Sequence, residues 1–261
     1  MLKSNVIILT GGLSGSSVLA GTIAKKDYWL GDNTEKINYQ TFENSQLVKL
    51  NIELLHKSGY SWDDVMDIPS PSINSLREID SVSCTNRCKD FVHECNNNKP
   101  WIWKDPRLCY TIFFWYKLLN IKSCKFILVE RDIKQSWTGI VLRGKTPISF
   151  ENMKIIENNC IKYSNKFFHE VGVNFLNISF DELILHPEKT IKKINNYLSI
   201  NLSLKDFQAI YKGSLYKLRW TTLDFYKARM KYCYYKFIKR DATHFPRKRE
   251  GRGSGWYHLQ R

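Results

Sequence analysis

The 261-residue chain has an ordinary apolar share and a high aromatic share of 14%, enough to fill the core of one α/β domain without disulfide or metal staples. Its formal net charge of +15 selects anionic partners, but charge alone does not choose among nucleic acid, acidic polysaccharide, a lipid surface and a nucleotide bearing several phosphates. Seven cysteines with no CxxC pair argue against a disulfide scaffold or a zinc ribbon, and no stretch approaches the roughly 20 apolar residues of a membrane span or forms a signal peptide, so a cytoplasmic protein with reduced thiols is expected.

In chain order, the β-branched run at Asn5–Thr10 predicts a fully buried strand, and residues 11–17 form a small-residue loop opening into a helix at Val18, Leu19 and Ala20. Leu47, Leu50, Leu54 and Leu55 recur at helical spacing within residues 42–57, and Gly59 closes that helix. Residues 67–98 are rich in Ser, Pro, Asn and charge, with a helix placed within 79–94, and are expected to vary and to face a ligand. Cys84, Cys88, His93 and Cys95 fall in this stretch without the paired short spacing of a structural zinc site. Trp101, Ile102 and Trp103 form a short strand, residues 108–119 a helix, and residues 125–130 a second buried strand with Arg131 at its C-terminal end. Helices follow over 132–142 and 151–171, the latter with Ile155, Ile156, Ile161, Phe167 and Phe168 as its apolar face. A strand over 173–179, a helix starting at Asp181 and a last regular helix over 188–198 complete the pattern.

The alternation predicts an α/β fold, a parallel sheet flanked by helices on both faces, with ligands beyond the carboxyl ends of the strands. From about residue 203 to residue 261 the chain is aromatic and basic, and with no repeat or linker it is expected to form a single domain over 1–261.

The loop Gly11-Gly12-Leu13-Ser14-Gly15-Ser16-Ser17 follows a buried strand and precedes a helix. Small residues there let backbone N–H groups and a helix N-terminus approach an anion. A nucleoside triphosphate P-loop would carry Gly at Thr10 and Lys at Ser16. Without the lysine that reaches the outer phosphates, a kinase or NTPase is disfavoured.

This loop, then Phe42-Glu43 ahead of a helix, then Trp103-Lys104-Asp105-Pro106-Arg107-Leu108, then Glu130-Arg131-Asp132 at a strand end together resemble the sulfotransferase family that uses 3′-phosphoadenosine 5′-phosphosulfate (PAPS), particularly its bacterial branches. The resemblance implies a P-loop-like nucleotide-binding architecture and an in-line displacement at sulfur, with adenosine 3′,5′-bisphosphate leaving and no metal required. It implies that Gly12, Ser14, Gly15, Ser16 and Ser17 hold the 5′-phosphosulfate and that Arg131 grips the 3′-phosphate, a role suited to a planar guanidinium. Leu13 stands where the family has a cation, and Lys104 is nominated to replace it. The family's serine eight residues after the arginine is Gly139 here, and Ser136, or Thr138, is the substitute. Lys104, Asp105, Pro106 and Arg107 match the family's Lys-Asp-Pro-Arg string; by resemblance Asp105 and Arg107 shape the active site, with a structural ion-pair corner as the alternative.

Glu43 is placed to take the acceptor's proton, with a helix-dipole acid as its other reading and His56 and His93 as rival bases. Arg247 and Lys248 resemble the family's late basic loop over the nucleotide, and residues 180–190 its segment before the last core helix. The expected acceptor is a small molecule or glycan, including carbohydrate or lipid, presenting a hydroxyl or amino group. Nucleic acid is not the expected partner. The rival reading is a non-catalytic polyanion- or nucleic-acid-binding protein on a degenerate P-loop-like fold, favoured by the net charge, the basic C-terminal region and Leu13.

Overall fold

A strand with apolar side chains on both faces must be covered from both sides. Val6, Ile7, Ile8 and Leu9 are all fully buried in the computed structural model, which describes residues 3–12, 14–32, 35–36, 39–63, 65, 68–79, 82–143, 148–211 and 219–237. The elements run β1 (Asn5–Thr10), α1 (Ser16–Ala24), β2 (Glu35–Lys36), β3 (Tyr39–Gln40), α2 (Ser45–Lys57), α3 (Ile73–Arg77), α4 (Val82–Asn97), β4 (Ile102–Lys104), α5 (Leu108–Trp115), β5 (Cys124–Glu130), α6 (Ile133–Arg143), α7 (Phe150–Val171), β6 (Phe175–Ser179), α8 (Phe180–Leu185), α9 (Pro187–Leu198), α10 (Leu204–Ile210) and α11 (Thr222–Phe237). A 3₁₀ turn, Ile121–Ser123, leads into β5.

The main sheet has the order β4-β1-β5-β6 and every pairing in it is parallel, with Ile7 opposite both Trp103 and Phe126. Strand alternation splits the core in two. Ile7, Leu9, Trp103, Phe126 and Leu128 face the cluster built with α2, α4, α5 and α7, whereas Val6, Ile8, Ile102, Ile127, Val129 and Ile178 face α1 and α8 to α10. The α/β class with helices on both faces is therefore observed. A third cluster, Trp137, Ile140, Val141, Met153, Ile156 and Ala228, joins α6, α7 and α11. Among the described residues no helix is long and apolar enough to cross a membrane.

Local chemistry sets the boundaries. Asn44 Oδ1 accepts from the amides of Gln46 and Leu47 and starts α2 three residues later than residue 42. Gly172, at φ 68°, ends α7, and Pro187 opens α9. Two expectations are corrected. Ile155 is 45% exposed, because the inward register of α7 runs through Met153, Ile156, Cys160, Ser164 and Phe167 and Ile155 lies about 140° round the helix from the centre of that register. The stretch 67–98 holds two helices, α3 and α4, and not one. Helix α4 hides its apolar face because Cys88 and Cys95 pack as small hydrophobes beside Phe91 and Val92. Those two thiols are core, Cys95 Sγ accepting from Trp103 Nε1 at 3.4 Å, while His93 is exposed; among the described residues no group of three or more His, Cys, Asp or Glu side chains is placed to hold a metal ion.

Candidate functional site

In the order β4-β1-β5-β6 the chain leaves β1 toward one edge and leaves β5 toward the other. The crevice beyond the carboxyl ends of β1 and β5 is thus the switch point where parallel sheets bind ligands. The loop of residues 11–15 and Arg131 both lie there. Gly15 caps α1 at φ 82°, a left-handed conformation that leaves the first amides of the helix without a side-chain cap. A Cβ on Gly15 would fall 2.2 Å from Phe180 Cδ2, so an aromatic ring fills the space against the loop. Buried Ser14 bonds the Thr10 hydroxyl, and Thr10 Oγ1 donates to the carbonyls of Gly11 and Val129, which ties the loop to the ends of β1 and β5. Ser16 is buried and Ser17 half-buried at the start of α1. Gly12 is buried, and Leu13 lies outside the described residues.

Lys104 ends β4, the neighbour of β1, and its buried Nζ donates to Glu43 Oε1 at 2.5 Å and to Ser17 Oγ at 3.2 Å. Three predicted site residues, from β4, α1 and the approach to α2, thus converge. Glu43 reaches Lys104 because Phe42 adopts a left-handed φ of 53°, uncommon for a bulky residue and held only where packing over-determines it. The packing is evident: Gly21 of α1 lies under the Phe42 ring, where an added Cβ would meet ring carbons at 2.5 Å. Asn44, not Glu43, caps α2, and Glu43, one residue before the cap, is ion-paired with Lys104.

Asp105 and Arg107 turn away from the crevice into a buried corner. Asp105 Oδ1 accepts from the Arg107 amide at 3.0 Å and from Nη1 at 2.8 Å, Oδ2 accepts from Asn51 Nδ2 at 2.9 Å, and Arg107 Nε donates to the Asp63 carbonyl at 2.5 Å. Asn51 Oδ1 in turn accepts from Thr111 and Trp115 Nε1, each at 2.8 Å. A network satisfied at this many points is rigid. It holds the chain immediately after Lys104, which is the structural ion-pair reading of Arg107.

At the β5 end, the Arg131 guanidinium lies 5.2 Å from the centroid of Phe180, the same ring that packs on Gly15. One aromatic ring therefore separates the loop from Arg131, and its face favours the cation. Asp181 Oδ2 accepts from the Asp132 amide at 3.2 Å, and Asp132 Oδ1 accepts from the Gln135 amide at 3.0 Å at the start of α6. Ser136 is buried in the first turn of α6; Thr138 Oγ1 is buried without a hydrogen-bond partner among the described residues. A Cβ at Gly139 would fall 3.0 Å from Trp220 Nε1, and Trp220 is pinned to Gln135 by two bonds, of 2.9 and 2.6 Å. Indole thus fills the space beside Gly139. Arg247 and Lys248 lie outside the described residues.

Two participants escaped the sequence reading. In the sequence Phe180 stands out only as the first residue of the 180–190 segment. Glu157 sits in the inward register of α7, between Ile156 and Cys160, and an acid in an apolar register was the signal available. Its carboxyl lies against Gly11, where a Cβ would fall 2.0 Å from Oε2, and Oε1 is buried without a hydrogen-bond partner among the described residues. Desolvation pushes its pKa up from 4.5 to about 8. Of the rival bases, His56 pairs with Asp63 at 2.9 Å and His93 stands exposed on α4.

The arrangement offers two anion-seeking positions on either side of Phe180. One combines the start of α1 with Lys104, and the other combines Arg131 with the start of α6. Glu43 supplies a proton-accepting oxygen beside the first.

No protein-family model matches the chain, and comparison with curated proteins finds no match. Among solved structures, the sulfotransferase domain from the curacin biosynthetic pathway is 12% identical, with 81% of this chain and 79% of that chain covered at a TM-score of 0.53. The sulfotransferase domain of the Synechococcus PCC 7002 olefin synthase is 13% identical over 88% of this chain and 94% of that chain, with a TM-score of 0.47. A sulfotransferase from Mycobacterium avium is 11% identical over 91% of this chain and 78% of that chain, with a TM-score of 0.44. By the first of these, the chain has the sulfotransferase fold.

Proposed function

We propose that the chain, as a single domain, moves a sulfuryl group from PAPS to a hydroxyl or amino group of a small-molecule or glycan acceptor. The observation that carries this reading is the convergence of Lys104, Ser17 and Glu43 at the mouth of the loop after β1. PAPS supplies the sulfuryl group and a bisphosphate leaving group. The residues present suit such a donor, since the two anion-seeking positions match a molecule that is anionic at both its 5′ and 3′ ends.

In this reading Gly12, Ser14, Gly15, Ser16 and Ser17 bind the 5′ end through backbone and hydroxyl donors, and Lys104 holds the negative charge that builds at the transfer. Glu43 accepts the acceptor's proton, oriented by its bond to Lys104. Arg131, backed by Phe180, binds the 3′-phosphate with Ser136, and Arg247 and Lys248 add charge to that end. Asp105 and Arg107 act as positioning residues that keep Lys104 in place.

Calorimetric titration with adenosine 3′,5′-bisphosphate tests the donor site. Binding by the wild type, loss in Arg131→Ala and no binding of ATP are expected. Absence of any binding would overturn the donor reading and leave the polyanion-binding one.

A further inference from the structure

Helix α11 is apolar on two faces. Its inner face packs Ala228, with Phe225 and Tyr232, onto Trp137, Met153 and Ile156. On the outer face, Leu223, Tyr226, Met230, Tyr234 and Phe237 are each between 48% and 69% exposed. At 3.6 residues per turn they fall within an arc of roughly 80° and form a stripe about 21 Å long. Five of the nine exposed large apolar side chains among the described residues lie on this one helix, and a stripe of this kind marks a contact surface.

The flanking charges identify the contact. Lys227, Arg229 and Lys236 are exposed on α11, and Lys231 donates to the Leu142 carbonyl at 2.9 Å. The one acid of α11, Asp224, is buried and takes the Thr221 amide and hydroxyl at 2.9 and 2.8 Å. The outward charge of the helix is therefore entirely positive. Residues 238–261 continue this bias in sequence, with Lys239, Arg240, Arg247, Lys248, Arg249, Arg252 and Arg261 against Asp241 and Glu250. Two copies meeting along this stripe would bring like charges together with no exposed acid of α11 between them. Nucleic acid would use the cations but leave Leu223 and Met230 in water. An apolar centre of Leu, Met, Phe and Tyr with Lys and Arg on its flanks suits an anionic bilayer surface, where the stripe enters the headgroup boundary and the long cationic side chains reach the phosphates.

We propose that the outer face of α11 docks this protein on the surface of an anionic membrane. The inference does not depend on the sulfuryl-transfer reading, and the helix lies in the interface plane without crossing it.

Cys233 lies on the same exposed face, within about 60° of Met230, and provides a probe. In a Cys84→Ser, Cys124→Ser background, Cys233 carries a polarity-sensitive fluorophore while Cys88, Cys95, Cys109 and Cys160 are buried. The full chain is mixed with vesicles of phosphatidylcholine alone or with added phosphatidylserine. A blue shift and co-sedimentation with the anionic vesicles only are expected. Leu223→Ser/Met230→Ser/Phe237→Ser keeps every cation and removes only exposed apolar groups, so its melting curve should match the wild type while partitioning falls at least about tenfold. Equal partitioning of this variant would assign binding to charge alone and overturn the proposal. So would failure of the wild type to bind either vesicle, or a dimer in sedimentation equilibrium that this variant abolishes. An oligonucleotide shifting the probe when vesicles do not would reassign the face to nucleic acid.

Discussion

Two carboxylates flank the loop after β1, and they share residue type and burial but nothing else. Glu43 is 7% exposed and bonded at 2.5 Å to an ammonium; Glu157 is 6% exposed, lies against a glycine, and has one oxygen without a partner among the described residues. Burial alone pushes Glu157 toward its neutral form, whereas Glu43 is held in an ion pair. The neighbour, more than the depth, decides which buried acid is available to take a proton and which stores a pH-dependent cost.

The largest test of this contrast removes the neighbour. Lys104→Met leaves Glu43 buried without its ammonium and should cost about 3–5 kcal/mol in urea unfolding, together with loss of the proposed sulfuryl transfer. Adding Glu43→Gln should restore most of the stability and none of the activity. A single variant as stable as the wild type would show that the pair contributes nothing.

Next is the pH profile of Glu157. A carboxyl whose folded pKa is raised from 4.5 to about 8 gives its full stabilisation below about pH 4.5 and loses it as pH climbs to about 8, at up to about 1.4 kcal/mol per unit. Glu157→Gln does not titrate. Its stability relative to the wild type should therefore rise through that window and level off above it, as thermal melts at a series of pH values would show; parallel profiles would refute the assignment.

Gly11→Ala drives a methyl into the Glu157 carboxyl and should destabilise by about 1–3 kcal/mol. In a Glu157→Ala background the same change should be close to neutral, a coupling measurable by a double-mutant cycle. The smallest effect lies across the crevice. Phe180→Leu keeps an apolar side chain but withdraws the ring from Arg131, and should weaken the proposed adenosine 3′,5′-bisphosphate binding by a few-fold, about 0.5–1 kcal/mol. An unchanged titration would separate the ring from the guanidinium's role.

Sequence reading succeeded where one local rule governs an element. The buried strands are visible as unbroken apolar runs rich in Val and Ile, and the loop of residues 11–17 as a small-residue string after such a strand. The Lys-Asp-Pro-Arg corner was visible too, but not the division of labour within it: Lys104 enters the crevice, while Asp105 and Arg107 turn to Asn51 and the Asp63 carbonyl. That choice depends on partners more than 40 positions away. Phe180 and Glu157 were missed for the same reason, since their significance comes from Gly15 and Gly11, each more than 140 positions earlier. The double-faced character of α11 was hidden because apolar residues around the whole helix blur its periodicity.

The placement of β1 also bears on how the chain reaches this state. Strand β1 is one of the two central strands of the sheet, and both strands it pairs with lie roughly a hundred residues later, so non-local closure must precede any stable sheet. At translation rates of about 5–20 residues per second, the run Val6-Ile7-Ile8-Leu9 waits on the order of 5–20 s for its partners. During that interval it is an unpaired apolar segment, and soluble yield should depend on chaperone capacity more than on the stability of the finished fold.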